Sequence, residues 1–338
     1  MIERSEVHIM ENWRHRESPL VSVVCITYNH ERYIADAIES FLKQETHFPF
    51  EIIIHDDAST DGTTEIIRNY AKKYPSIIRP IFQKENQFSQ HRKNTLQIAI
   101  SYARAEYIAC CEGDDYWIDS GKLKIQMSEM QKYPECDISF HPVIRKCNNG
   151  KKRDKILSKH SSHNKIFSVR EVVLGEGGFC QTASLIVKID IFKSIPDWFF
   201  DVPIGDYFLQ ILASLKGGAL YINKAMSVYR AGSFGSWSER MSKDEHYAHD
   251  YLVRILKSLD DVNFHTNNKY SKEFNIIKRK VCFWMCRNPL LSFEKRNQIF
   301  SENKKTFNSI NKIMWHFFYK NKGMCRLIFT MRNYIFDR

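Results

Sequence analysis

The chain has 338 residues, 43% of them hydrophobic, and 50 Lys and Arg against 39 Asp and Glu. That is apolar material for one large core or two smaller ones and excludes a disordered chain. No apolar run approaches the ~18 residues needed to cross a bilayer. Residues 1–16 are charged throughout and lack the apolar stretch of a secretory leader, so none is expected. Nine cysteines, an odd and scattered set without a CxxC pair, suit free thiols in a reducing cytoplasm and argue against a disulfide framework or a zinc site.

In chain order, Leu20 to Ile26 is a continuous β-rich run, and Asn29 to Lys43 follows with Ile34, Ala37, Ile38, Phe41 and Leu42 at helical spacing. Glu51 to Ile54 is the next strand, after which Ser59-Thr60-Asp61-Gly62 starts a helix reaching Tyr74. Ile77 to Phe82, a helix from Lys93 to Ala103 and the strand Tyr107 to Cys111 complete the series. Such alternation predicts an α/β fold: a mainly parallel, doubly wound sheet with helices on both faces. Ligands of such sheets bind beyond the carboxyl ends of the strands. Thr27-Tyr28-Asn29, Asp56-Asp57 and Glu112 to Asp115 all fall there.

The charge divides the chain. Residues 241–338 hold 19 Lys and Arg against 9 Asp and Glu, or +10, whereas residues 1–240 hold 31 and 30, or +1. After Gly235 only Gly323 remains, and the one late proline is Pro289. These shifts predict an extension over 1–18, a mixed domain over 19–237 and a basic, mainly helical region over 238–338.

Glu112-Gly113-Asp114-Asp115-Tyr116-Trp117 places three carboxylates in four residues at a strand end, where like charges repel and burial is costly. Either the run is a solvated acidic turn or a divalent cation sits there. Oxygen ligands suit Mg²⁺ or Mn²⁺, and Mg²⁺ prefers a few carboxylates plus substrate phosphates, which points to a nucleoside-diphosphate substrate.

Val21-Ser22-Val23-Val24-Cys25-Ile26-Thr27-Tyr28-Asn29, Ile52 to Thr63 with Asp56-Asp57-Ala58-Ser59-Thr60-Asp61-Gly62, and the acidic run resemble, in order and spacing, a family 2 glycosyltransferase of the GT-A nucleotide-binding fold. The likeness weakens towards residue 237 and does not cover the tail. It implies inverting transfer of a sugar, mostly from a UDP-sugar, to an acceptor hydroxyl, on a sheet with one antiparallel strand near the metal motif. Bacterial relatives commonly build surface polysaccharide.

The resemblance also implies roles. Ile26, Tyr28 and Asp57 would meet the nucleotide, Tyr28 stacking on the uracil and Asp57 accepting from its imide N–H. Tyr28 is otherwise a core-edge tyrosine, Asp56 a holder of its turn, and Asp61 a helix cap. Glu112, Asp114 and Asp115 would hold the metal, Asp114 first, although the family's first aspartate is here a glutamate. In Tyr229-Arg230-Ala231-Gly232-Ser233, Gly232 stands where many relatives have histidine; Arg230 then pairs either with phosphate or with a carboxylate of the fold.

Asp206, in Pro203-Ile204-Gly205-Asp206-Tyr207, matches the catalytic base, with Asp201 as the fallback; the local sequence reads equally as a helix cap. Thr182, Ser184 and Trp198 would line the acceptor groove, Trp198 being core otherwise. Residues 146–165 read as a mobile loop near that groove or a solvated insertion. In the tail, Asn311 to Phe318 and Cys325 to Phe336 mix cations with apolar residues. They suit either an anionic membrane surface, useful for a lipid-linked glycan acceptor at the inner face of the plasma membrane, or packing on the catalytic domain. No nucleic-acid-binding signature accompanies the charge. A sugar-nucleotide pyrophosphorylase and a catalytically silent binding module are the rival readings.

Overall fold

The computed structural model describes residues 4–14, 18–88, 95–147, 154–232, 244–288, 290–320 and 323–324. The expected helix start at Lys93, the domain end near 237 and the segment 325–336 lie outside them. A short helix, α1 (Glu6–Met10), precedes the first strand.

The centre is built from four parallel strands: β1 (Val21–Thr27), β2 (Phe50–Asp56), β3 (Ile78–Phe82) and β4 (Tyr107–Glu112). Apart from Ile26 in β1, β1 and β2 are buried along their whole length, which explains why they read as unbroken β-branched runs rather than alternating ones. Alternate residues serve opposite faces. Val21, Val23, Cys25, Ile52 and Ile54 join Ile34, Ile38 and Phe41 of α2 (Ile34–Leu42) and Ile67 of α3 (Thr63–Lys73). Val24, Ile53, Ile108 and Cys110 face the other core, with Ala99 and Ile100 of α4 (Thr95–Ser101). The doubly wound expectation therefore holds. β2 is longer than read from sequence because Phe50, His55 and Asp56 also sit in the ladder.

Beyond β4 the chain forms β5 (Tyr116–Trp117), helix α5 (Lys122–Lys132), then β6 (Ile138–Phe140), β7 (Val143–Cys147), β8 (Lys155–Leu157) and β9 (Lys165–Phe167). Helix α6 (Val169–Gly175), β10 (Ile186–Lys188), helices α7 (Ile189–Lys193) and α8 (Gly205–Ser214), β11 (Ala219–Tyr221) and β12 (Ser227–Ala231) follow. The main sheet has eight strands in the order β3-β2-β1-β4-β10-β6-β11-β9. β10 runs antiparallel to β4 and β6, the reversed strand expected beside the acidic motif, but edge strand β9 is reversed as well. Segment 146–165 is likewise not only loop, because β8 pairs with β7.

A second sheet, β5-β12-β7-β8, follows the acidic turn, and β12 pairs with β5 through Val228 and Tyr116. This pairing carries Arg230 to the turn from more than a hundred residues away. Helices Glu245–His265, Ser271–Cys286, Phe293–Glu302 and Ser309–Met314 continue the chain. Their Tyr251, Ile255, Phe274, Phe300 and Trp315 share one apolar core with Val172, Phe199 and Phe208 of the sheet-bearing part. No described helix is long and apolar enough to cross a membrane.

Candidate active site

The loops after β1 and β2 brace each other at the carboxyl edge of the sheet. Asn29 takes φ 55° and Ala58 φ 63°, left-handed values that suit asparagine and strain alanine. The Asn29 N–H donates to Ser59 Oγ at 2.9 Å, and Asn29 Oδ1 accepts from the Thr60 N–H at 2.8 Å. Asp56 holds its own turn: Oδ1 accepts from the Ser59 N–H at 3.0 Å and Oδ2 from Thr64 Oγ1 at 2.5 Å. Asp61 stands one residue outside the cap. Helix α3 is capped at Gly62, while Asp61 accepts from the N–H groups of Thr63 at 3.0 Å and Glu31 at 3.1 Å.

That frame leaves Tyr28 43% exposed at the strand end. Asp57 is buried beside it, and its two oxygens accept from the Gln87 N–H at 2.8 Å and the Phe88 N–H at 3.1 Å. An ionised carboxylate has about four acceptor positions, so capacity remains for a further donor. The Gln87–Phe88 clamp gives no local signal in sequence, because its partner is thirty residues earlier. Ile26, half-buried, contributes its carbonyl, which accepts from the Gly113 N–H at 2.9 Å and ties β1 to the acidic turn.

Gly113 is required there by space. A Cβ would meet Thr27 Oγ1 at 2.6 Å, Thr27 Cβ at 2.8 Å and His30 Nδ1 at 2.9 Å. Carboxylate oxygens of Glu112, Asp114 and Asp115 lie within 4.8 Å of one another. Glu112 touches solvent yet is hemmed in by protein, and this crowding, then the charges of Asp114 and Asp206, push its carboxyl up to about 8. Burial, then Asp114 and Glu112, hold Asp115 well above the carboxylate range, although Arg230 opposes the shift. Asp115 Oδ1 accepts from the Arg230 N–H at 2.8 Å, whereas Asp114 Oδ1 is buried with no hydrogen-bond partner among the described residues. Thr27 Oγ1 and His30 Nδ1, on the flank of Gly113, are buried and unpartnered in the same way. An orphaned carboxylate oxygen inside a mutually repelling trio fits a divalent, oxygen-seeking cation. His30 is a neighbour that the sequence did not single out.

Arg230 is engaged within the fold. Its Nη1 donates to the Asp114 carbonyl at 2.8 Å and its Nη2 to Asp36 at 2.5 Å, while the guanidinium lies 4.4 Å from the Tyr116 ring centroid. Asp36 is thus a carboxylate of the fold that Arg230 meets.

Asp206 is the second residue of α8, whose cap position is Ile204 and not the aspartate, and its Oδ1 accepts from the Tyr207 N–H at 2.7 Å. Burial pushes its carboxyl up to about 6 despite that bond. Its charge reaches Glu112, which puts the expected base on the side of that member of the acidic trio. The acceptor residues are less alike. Thr182 is half-buried, but Ser184 is fully buried, with Oγ donating to the Gln181 carbonyl at 2.6 Å, so its hydroxyl is closed to a sugar and that expectation is corrected. Trp198 packs edge-on against Phe208 and His265 with Nε1 buried, closer to its core reading. Asp201 is exposed, and its carbonyl accepts from Arg254 Nη2 at 3.0 Å.

Comparison with known proteins agrees with this geometry. Residues 22–193 match the family model described as Glycosyl transferase family 2. An uncharacterized protein of Mycobacterium tuberculosis is 34% identical over 271 residues, 79% of this chain and 74% of its own length. A Bacillus subtilis glycosyltransferase named for teichuronic acid biosynthesis, TuaG, is 32% identical over 166 residues, 49% of this chain and 62% of its own. Among solved structures, S. aureus TarS 1-349 in complex with UDP superposes with a TM-score of 0.55 at 18% identity, covering 87% of this chain and 77% of that one. A pyrophosphorylase is thereby set aside: the chain belongs to glycosyl transferase family 2 and is a glycosyltransferase.

Proposed function

We propose that the enzyme moves a sugar from a UDP-sugar to a hydroxyl of a glycan or lipid-linked glycan, with inversion, in the assembly of bacterial surface polysaccharide. The buried, unpartnered Asp114 oxygen within the acidic trio, whose Glu112 feels the charge of Asp206, carries this reading. Tyr28 offers a ring face to the uracil, and Asp57 an acceptor to its imide N–H. Asp114, with Glu112 and Asp115, would hold Mg²⁺ or Mn²⁺, which when bound offsets the charge of the departing diphosphate. Asp206 takes the proton of the acceptor hydroxyl as that oxygen attacks the anomeric carbon from the side opposite the leaving group. A carboxyl poised at about 6 is ionised at neutral pH and still a competent base.

The kinship with TuaG supports a polysaccharide product, and the basic C-terminal region supports work at an anionic membrane, on its cytoplasmic face. The test is UDP release and calorimetric binding across UDP- and GDP-sugars with Mn²⁺, Mg²⁺ or EDTA. Metal-dependent binding of a UDP-sugar is expected. Equal affinity in EDTA would remove the metal, and selective binding of a GDP-sugar would remove the uridine.

A further inference from the structure

The helix after Asn308 shows apolar side chains on two opposite sides. It runs from Ser309 to Met314, continues as a wider turn over Trp315–Tyr319, and is capped by Asn308 Oδ1 accepting from the Asn311 N–H at 2.8 Å. One side belongs to the core: Trp315 and Tyr319 are buried, Trp315 stacks on Phe300 at 4.8 Å, and the Tyr319 carbonyl accepts from Arg296 at 2.8 Å. At about 100° per residue, Ile310, Ile313 and Phe317 fall within roughly 60° of one another on the reverse side. They are 65%, 55% and 73% exposed. Single exposed apolar residues are ordinary, but three in register on a capped, core-anchored helix make a ridge with no partner in the described chain.

Charge identifies the occupant. Between Glu302 and Asp337 the sequence has seven Lys and Arg and no carboxylate. Lys304 and Lys305, which precede the ridge in sequence, and Lys320, which follows it, are exposed. A second copy would bring two such cationic surfaces together and is opposed by their repulsion, whereas anionic lipid meets both features at once. We propose that Ile310, Ile313 and Phe317 enter the headgroup–acyl boundary of a bilayer while the flanking lysines bind anionic headgroups, seating the enzyme beside a lipid-linked acceptor. This deepens the membrane part of the functional reading and rests on it.

The experiment uses the full chain with vesicles of phosphatidylcholine, with and without phosphatidylglycerol, and follows co-sedimentation, sedimentation velocity and UDP release without vesicles. The wild type should favour the anionic vesicles and be released by salt, since headgroup attraction is screened within about 8 Å at physiological ionic strength. Ile313→Ser with Phe317→Ser should lower partition ~10-fold or more, and Lys305→Ala with Lys320→Ala should flatten the salt dependence. UDP release in solution should be unchanged in both, because these side chains point away from the core. Wild-type partition by the Ile313/Phe317 variant would overturn the inference, as would a wild-type dimer that this variant dissolves, which would give the ridge to a second copy. Failure of the wild type to release UDP from any donor would sink the transferase reading while vesicle partition still decides the ridge.

Discussion

Asp206→Asn should make the protein more stable and nearly inactive at once. The carboxyl sits at about 6 in the fold against 3.8 for the free group. The folded state therefore binds the proton more tightly, and stability falls as pH rises from about 4 through 6. At ~1.4 kcal/mol per unit, the ionised carboxylate costs up to about 3 kcal/mol above pH 6, less whatever solvent screening its half-buried position allows. Asparagine keeps an acceptor for the Tyr207 N–H and is neutral at every pH. Urea unfolding of metal-free protein should then show the variant ahead by as much as ~3 kcal/mol at pH 8, with the difference closing as pH approaches 4. Transfer to the acceptor should fall ~10²-fold or more while UDP-sugar affinity barely changes, and wild-type kcat/KM should decline below pH 6. Equal stability at pH 8, or a gap that widens on acidification, would refute the electrostatic account; undiminished transfer would move the base to Asp201.

Asp114→Ala should abolish metal-dependent donor binding by calorimetry, yet raise the stability of the metal-free protein, because Glu112 and Asp115 lose the carboxylate that repels them. Gly113→Ala should cost about 1–3 kcal/mol in urea unfolding, since a Cβ 2.6 Å from Thr27 Oγ1 cannot be relieved by a flexible side-chain tip. It should also lower transfer through displacement of the acidic turn. Ala58→Gly should leave stability equal or raise it by up to ~1 kcal/mol, because φ 63° burdens alanine more than glycine's extra unfolded entropy costs; a loss above ~1 kcal/mol would show that the Ala58 methyl packs.

The central strands were legible because β1, β2 and β4 are buried on both faces and so appear as unbroken apolar runs, each ending in polar residues that mark the ligand edge. The later strands were not: β6, β8, β9, β10 and β11 have three residues each, too few for any periodicity. Long-range partners were equally hidden, as the Gln87–Phe88 clamp on Asp57 shows. Arg230 shows what such partners do for the site. Gly232, at φ 84°, has no side chain to offer the site, and Arg230, two residues before it, is tied to the acidic turn. Its backbone N–H holds Asp115, its guanidinium holds the Asp114 carbonyl, and Asp36 and Tyr116 hold the guanidinium. Asp115 is thereby pinned and the Asp114 backbone held, while the Asp114 Oδ1 stays buried without a hydrogen-bond partner among the described residues. Arg230 therefore acts on the acidic turn by positioning it, a role that follows from β12 pairing with β5 and that its neighbours in sequence do not announce.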